Sequence, residues 1–414
     1  MREVDVLIAG GSASGLCAAI NAARLHPGLR VALVERGVRI GQKILATGNG
    51  RCNLSNLSAA EHAYHNKEFA AAALAKYGVG TTLAFFHSIG LLTRTDECGR
   101  IYPLSNRAAG VLDCLRFEVE KLGVDILCST ALEKASKTGG GFTCLCRTPG
   151  GAETISAGHL ILATGGKTYS KDPGGTGYAL ARSFGHRITP LFPSLTALVT
   201  GGAAAQLKGV RVQAAVFGQE DGGPCIPLSR GEILFTEYGL SGIAAMDASR
   251  FFSERIAAGK TASLCAVLDL MPDMNEQELA AYLAAAAENN PVLARENLFA
   301  GILPGAVGRH LCKVLSLDIL YKNGCIDPRS DMAAPAKAIK QFRFDIKGVK
   351  GFDFAQVTAG GADISEFHPS SLESRKVNKL YACGELLDVD GGCGGFNLQW
   401  AWSSGLLAGE LARK

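Results

Sequence analysis

The chain has 414 residues, 47% of them hydrophobic and 19% charged, an ordinary globular balance with enough length to bury sizeable cores in more than one domain. Its formal net charge of +4 includes no run of Lys or Arg, a poor footprint for nucleic acid. Glycine supplies 51 residues without any low-complexity tract, so the fold holds many tight turns and close backbone approaches.

In chain order, Val4 to Ala9 predicts a short buried strand. Glu3 and Asp5 stand where a secretory leader has its basic residues, and Gly10, Gly11 and Gly15 break the apolar stretch behind them. Gly15 to Leu25 is Ala-rich and helical, and Arg30 to Glu35 is a second strand, which makes the opening a right-handed β–Gly–α–β unit with parallel strands. Residues 41–56 read as a long ordered loop, 106–122 as a helix, and 124–128 and 142–147 as strands. Cys144 and Cys146 share one side of the last strand, where thiols pack rather than react. His159 to Leu162 is another buried strand, running through Thr164 into Gly165 and Gly166.

From about residue 190 the texture changes to short strands separated by Gly and Pro (195–236). A helical patch at about 253–305 follows, clearest from Asn275 to Asn290. From Gln356 the opening style returns, with a strand, a GG turn, a strand at 380–385, a glycine-rich loop and a last helix. The expected fold class is α/β: a discontinuous Rossmann-like domain, 1–190 plus 350–414, around a β-rich insert at 191–349. No apolar run reaches the roughly 20 residues of a membrane helix. Thirteen Cys without a CxxC pair point to a reducing cytoplasm.

Gly10-Gly11-Ser12-Ala13-Ser14-Gly15 fits the dinucleotide fingerprint G-x-G-x-x-G with Ser12 at the second glycine. There the first Gly makes the turn, the second admits a pyrophosphate, and the third lets helix meet strand. Free N–H groups at the helix start favour the anion. Glu35 ends the second strand about 20 residues on, where a ribose-binding acid belongs. A ligand-free tight turn is the plain alternative, and the signature alone does not separate FAD from NAD. The far end points to a flavin: Asp388 suits its ribityl or phosphate region, and the Gly391–Gly395 loop lets backbone approach a flat ring. A helix starting near Asn397 would aim its N-terminus at the flavin's pyrimidine edge, favouring the charge that reduction brings there. Asn397 also reads as a plain helix cap, and Trp400 and Trp402 as core.

Five stretches carry a resemblance: GGSASG at 10–15, KILATGNGRCNLSN at 43–56, GRIYPLSNRAAGV at 99–111, GEILFTEYGLSG at 231–242, and VTAGG at 357–361 with GELLDVDGGCGGFNLQWAWSSG at 384–405. Through them the chain resembles, over essentially its whole length, the BaiN-like family of bacterial FAD/NAD(P)-dependent oxidoreductases. The resemblance implies an FAD-binding domain interrupted by a β-barrel-like insert that carries a small helical subdomain. By position it implies FAD contacts at Ala13, Ser14, Glu35, Arg36, Lys43, Arg51, Cys52, Asn53, Asp388, Asn397 and Leu398, with Leu132 contributing backbone only. Gly10, Ser12, Gly15, Thr164, Gly165 and Gly395 join them from the turns. The activity attached to the family name reduces carbon–carbon double bonds conjugated to a 3-oxo group in bile-acid intermediates, here with NADH or NADPH as the expected donor. Two departures stand out: Ser12 replaces a usual Gly, and Glu237-Tyr238 stands where many relatives have His and a variable residue.

Such a reduction needs hydride from the cofactor and one proton from the protein. The candidates are Tyr169, Tyr238 and Glu237, with Tyr102 a further one; each also reads as an ordinary packed or surface residue. Arg51 has a second possible use, polarising a substrate carbonyl or binding a carboxylate. Cys52, with no CxxC partner, reads as a packing or flavin contact, and the scattered His residues predict no metal. The expectation is non-covalent FAD, a small-molecule substrate, and neither nucleic-acid nor membrane binding. The alternatives are a flavin dehydrogenase or oxidase, a flavin-dependent RNA-modifying protein, and a non-catalytic FAD sensor.

Overall fold

A computed structural model describes residues 2–168, 175–259, 263–290, 297–315, 321–322, 325–326 and 331–411. The chain divides into two units, Met1–Leu191 with Val357–Lys414, and Phe192–Gln356.

The first unit is built on a seven-stranded sheet. Its strands are β1 (Arg2–Ala9), β2 (Val31–Val34), β3 (Asp125–Leu127), β4 (Ala131–Thr138), β5 (Gly141–Thr148), β6 (Gly151–Leu162) and β7 (Leu380–Ala382). The order is β3-β2-β1-β6-β5-β4, with β7 also on β6. β3, β2, β1, β6 and β7 run parallel, with Val6 opposite Val31 on one side and His159 on the other. β2, β7 and the second half of β1 are apolar and buried, as expected for parallel strands covered on both faces. β6 is longer than its apolar end foretold, because its first half forms an antiparallel meander with β5 and β4. β4, sequence ALEKASKT, has no apolar run to announce it. Pairing along β5 holds it extended while most of its side chains face solvent.

The helix α1 (Ala13–Leu25) follows β1, α2 (Ala108–Lys121) precedes β3, and α3 (Phe396–Ala408) ends the described chain. α1 and α3 touch backbone to backbone: a Cβ added at Gly405 would stand 2.3 Å from the Ser14 carbonyl oxygen. This crossing sets Gly405 on Ser14 and Gly409 on Ala18, so the two helices run in the same direction. Trp400 and Trp402 are buried and donate their indole N–H groups to the carbonyls of Gly384 (3.0 Å) and Leu54 (2.9 Å). The 41–56 stretch is partly helical, with an α-turn at Gln42–Ala46 and a tighter one at Thr47–Gly50.

The second unit is a closed barrel in the order Leu198–Thr200, Gly239–Ser241, Ile226–Phe235, Arg211–Glu220, Leu264–Asp269, Phe342–Val349. Its core includes Phe235, Phe342 and Phe344. The helix Glu276–Asn289 carries a capping box, with Asn275 and Glu278 bonding reciprocally at 2.9 Å. The segment read as one helical patch is interrupted by the barrel strand Leu264–Asp269, whose six residues are all buried. A strand buried on both sides lacks the alternation that betrays strands in sequence. No single helix among the described residues is long and apolar enough to cross a membrane.

Candidate cofactor site

The turn after β1 puts backbone against backbone. Gly10 has φ +114°, and a Cβ there would stand 2.3 Å from the Ala163 carbonyl oxygen; one at Gly15 would stand 1.8 Å from the carbonyl oxygen of Gly10. Both positions therefore require glycine. Ser12 does not: it precedes α1 with φ −113°, open to any residue, and its side chain makes no cap bond. Ala13 and Ser14 are buried in the first turn of α1. The departure from the fingerprint puts no strain on the backbone here.

Glu35 ends β2 with each carboxylate oxygen on a backbone amide, Gly11 N–H at 2.8 Å and Gly37 N–H at 2.7 Å. The acid is thus tied to the glycine turn, and Arg36 beside it is exposed. The chain returns past this point through Thr130, whose N–H donates to the Glu35 carbonyl (2.8 Å), so the buried Leu132 sits at the start of β4 near the same edge.

Lys43 lies in a compact polar cluster. Its ammonium pairs with Glu385 and donates to Thr168 Oγ1 (3.1 Å). The other oxygen of Glu385 accepts from Thr358 N–H (2.7 Å) and Thr168 Oγ1 (3.2 Å). Cys52 is fully buried, and burial pushes its thiol up to about 12, which removes a thiolate from consideration. Arg51 is exposed, its guanidinium 5.2 Å from the Tyr102 ring, and Arg94 approaches the same ring at 5.4 Å. At the start of α3, Gly395 has φ +101°, and a Cβ there would meet the Ser55 carbonyl oxygen at 2.4 Å and Asn53 Oδ1 at 2.8 Å.

Asn397 is not the cap of α3; that place is taken by Gly395, without a side-chain bond. Instead Asn397 folds back on the glycine loop. Its Oδ1 accepts from Gly391 N–H (2.9 Å), and its Nδ2 donates to the carbonyls of Gly391 (2.8 Å) and Gly392 (3.3 Å). Leu398 is half-buried in the same turn. Asp388 is buried, with Oδ2 accepting from Thr189 Oγ1 at 3.0 Å.

Whether these residues fit a flavin dinucleotide is tested by what they leave unsatisfied. Among the described residues, five buried side-chain polar atoms have no hydrogen-bond partner, and four belong to this unit: Asn53 Oδ1, Thr164 Oγ1, the Tyr178 hydroxyl and Asp388 Oδ1. A buried polar atom without a partner costs about 1–3 kcal/mol, so a group of them along a glycine-lined edge marks a ligand site. Two helix N-termini meet that edge, which lies outside the carboxyl ends of parallel strands, where α/β sheets bind ligands. The residues fit FAD. Sequence reading did not assign Tyr178, Glu385, Thr358 or Thr189 to the site: Thr358 and Glu385 lie in two of the stretches that carry the resemblance, Tyr178 and Thr189 in none, and only the sheet edge gathers them.

Tyr169 lies outside the described residues. Glu237 and Tyr238 belong to the barrel unit. Glu237 is exposed and pairs with Lys208 at 2.6 Å, and that pairing lowers its pKa below the usual carboxylate value, so at neutral pH it holds no proton to give. Tyr238 has the Lys350 ammonium 4.3 Å from its ring.

This fold and this site define an FAD-binding flavoprotein oxidoreductase. Residues 4–411 match the HI0933-like protein Rossmann domain family, and the chain belongs to that BaiN-like family. It is 39% identical to the 3-dehydro-bile acid delta(4,6)-reductase of Clostridium scindens, over 100% of this chain and 99% of that one. It is 30% identical to the ribosomal RNA dihydrouridine synthase of Escherichia coli, over 98% of this chain and 96% of the relative. Among solved structures, the 3-ketosteroid delta1-dehydrogenase of Sterolibacterium denitrificans shares the fold at 14% identity, with a TM-score of 0.53 and full coverage of both chains.

Proposed function

We propose that this protein is an FAD-dependent reductase of a carbon–carbon double bond conjugated to a carbonyl, acting on a small 3-oxo, bile-acid-like or steroid-like substrate with NADH or NADPH as donor. The observation that carries the cofactor half is the set of four bare, buried polar atoms along the glycine-lined edge. The reaction half is supported by both named relatives, whose activities share one chemistry: two hydrogens added across a double bond conjugated to a carbonyl.

When bound, FAD supplies the two-electron chemistry. The chain's part is to hold it. Glu35 would hold the adenosine ribose, the first turn of α1 the pyrophosphate, Asp388 the ribityl chain, and the N-terminus of α3 the flavin's pyrimidine edge. Arg51 remains open to a substrate carbonyl or carboxylate. The accompanying proton needs a neutral donor, a part for which Tyr238, Tyr169 and Tyr102 remain the candidates while Glu237 is ionised.

A small-molecule substrate is favoured over RNA by the higher identity to the bile-acid reductase and by the charge of the insert. Residues 192–356 hold sixteen Lys and Arg against seventeen Asp and Glu, which gives no net pull on a polyanion. Thirteen cysteines without a CxxC pair suit a reducing cytoplasm.

The test begins with heat-released cofactor, expected to be FAD rather than FMN. Photoreduced protein is then mixed anaerobically with conjugated 3-oxo steroids, other enones and enoates, and uridine-containing RNA. Return of the oxidised flavin absorbance with the 3-oxo compounds is the expected result. Return with RNA alone, or reduction of the oxidised protein by the saturated ketones alone, would overturn the assignment.

A further inference from the structure

We propose that the Tyr178 hydroxyl, together with Thr164 and Asp388, forms the subsite that holds the hydroxylated chain of the flavin nucleotide. The inference rests on the FAD reading above and adds a binding residue to it.

Tyr178 sits in the first turn of the helix Thr176–Ser183. The preceding Gly177 lets that helix lie directly on Thr164: a Cβ at Gly177 would stand 1.8 Å from Thr164 Oγ1. Thr164 in turn follows β6 beside the glycine turn, where a Cβ at Gly10 would approach its Cα to 3.1 Å. Tyr178 is thereby carried to the carboxyl edge of the sheet. The side chain is 2% exposed, and its hydroxyl has no partner among the described residues. Burial, and then the nearby carboxylates of Glu385 and Asp388, push the phenol well above its ordinary range, so it is a hydrogen-bond donor at any physiological pH.

The three bare atoms have complementary demands. The Tyr178 and Thr164 hydroxyls have protons to donate, and Asp388 Oδ1 can only accept, its other oxygen being held by Thr189. A phosphate accepts but cannot donate, and it would face the charges of Asp388 and Glu385. A neutral polyol both accepts and donates and brings no charge. Adenine shares this chemistry but belongs with the ribose at the Glu35 end; of the parts of FAD not placed there or at a helix N-terminus, the ribityl chain has it.

The test uses Tyr178→Phe, which removes one oxygen and keeps the ring. Apoprotein is titrated by calorimetry with FAD, FMN and ADP, and its thermal midpoint is recorded without ligand. The expected result is a loss of affinity for FAD and FMN of about fivefold to tenfold, the worth of one hydrogen bond, with ADP unaffected. The apoprotein midpoint should stay level or rise, because a buried unpaired hydroxyl has gone. Unchanged FAD and FMN binding, with or without a lower midpoint, would reduce Tyr178 to packing and overturn the proposal. ADP binding weakened as much as FAD would move the contact to the pyrophosphate and also overturn it. Wild-type protein that binds no flavin would instead remove the reading on which it rests.

Discussion

Asn397→Asp separates the loop that shapes the site from the helix that points at it. Asn397 holds Gly391 and Gly392 through one accepted and two donated hydrogen bonds. Aspartate keeps the accepted bond and loses both donated ones, and it leaves an oxygen facing the Gly391 carbonyl. Two neutral bonds at about 1 kcal/mol each, less about 0.5 kcal/mol returned by an acid in a helix's first turn, give a net loss of about 1.5 kcal/mol before the oxygen–oxygen repulsion. With that repulsion about 2 kcal/mol is expected, a fall in melting temperature of roughly 4–8 °C for a unit of this size. The assay is thermal unfolding of the FAD-bound variant, followed by spectroelectrochemical titration. The added charge should lower the two-electron potential, since it lies beside the edge expected to gain charge on reduction. A wild-type melting temperature would refute the role assigned to the loop contacts. An unchanged potential with FAD fully retained would refute the placement of the α3 N-terminus at the flavin.

Glu35→Ala should weaken FAD binding by about 1.5–3 kcal/mol without shifting the flavin spectrum, because the lost contact is at the adenosine end. It should also lower the apoprotein midpoint, as the carboxylate holds the amides of Gly11 and Gly37; binding and midpoint both unchanged would refute it. Cys52, its thiol pushed by burial to about 12, should escape iodoacetamide at slightly alkaline pH while the exposed Cys98 and Cys225 react, and native-state labelling of Cys52 seen by peptide mass spectrometry would contradict this. The direction of that shift means the unfolded thiol ionises first, so the stability is present below the ordinary value of 9.0 and lost as pH climbs toward 12. His159, His186 and His310 are all held below 6.5, by burial first. Their unfolded forms take up protons first, so stability should fall as pH drops below the ordinary value of 6.5, and a flat melting profile there would rule the effect out.

Much of the sheet is legible in the chain. β1, α1, β2, the end of β6 and β7 are short apolar runs bounded by glycine, and their order fixes a parallel, doubly covered sheet. β4 is not legible, because its polar residues take strand form only by pairing with β5. The barrel strand Leu264–Asp269 is not either, since full burial erases the period that separates strand from helix. From the sequence Asn397 is a flavin contact or a cap. The fold shows it bonded to the loop before it, a contact set by how the glycines turn.

The local chemistry of the site was written in the sequence: the glycine turn, the acid after β2 and the glycine loop before α3 are short-range patterns, each tied to one backbone geometry. What only the tertiary structure decided is which distant residues complete them. Thr164, Tyr178, Glu385 and Asp388 lie on three separated segments; the sequence singles out Thr164 and Asp388 but gives no reason to join Tyr178 or Glu385 to them. They converge because β6 and β7 are neighbours and because Gly177 lets its helix rest on Thr164. The bare hydrogen-bonding atoms that mark the ligand exist only after that convergence, since burial is a property of the packed chain and not of any stretch of it.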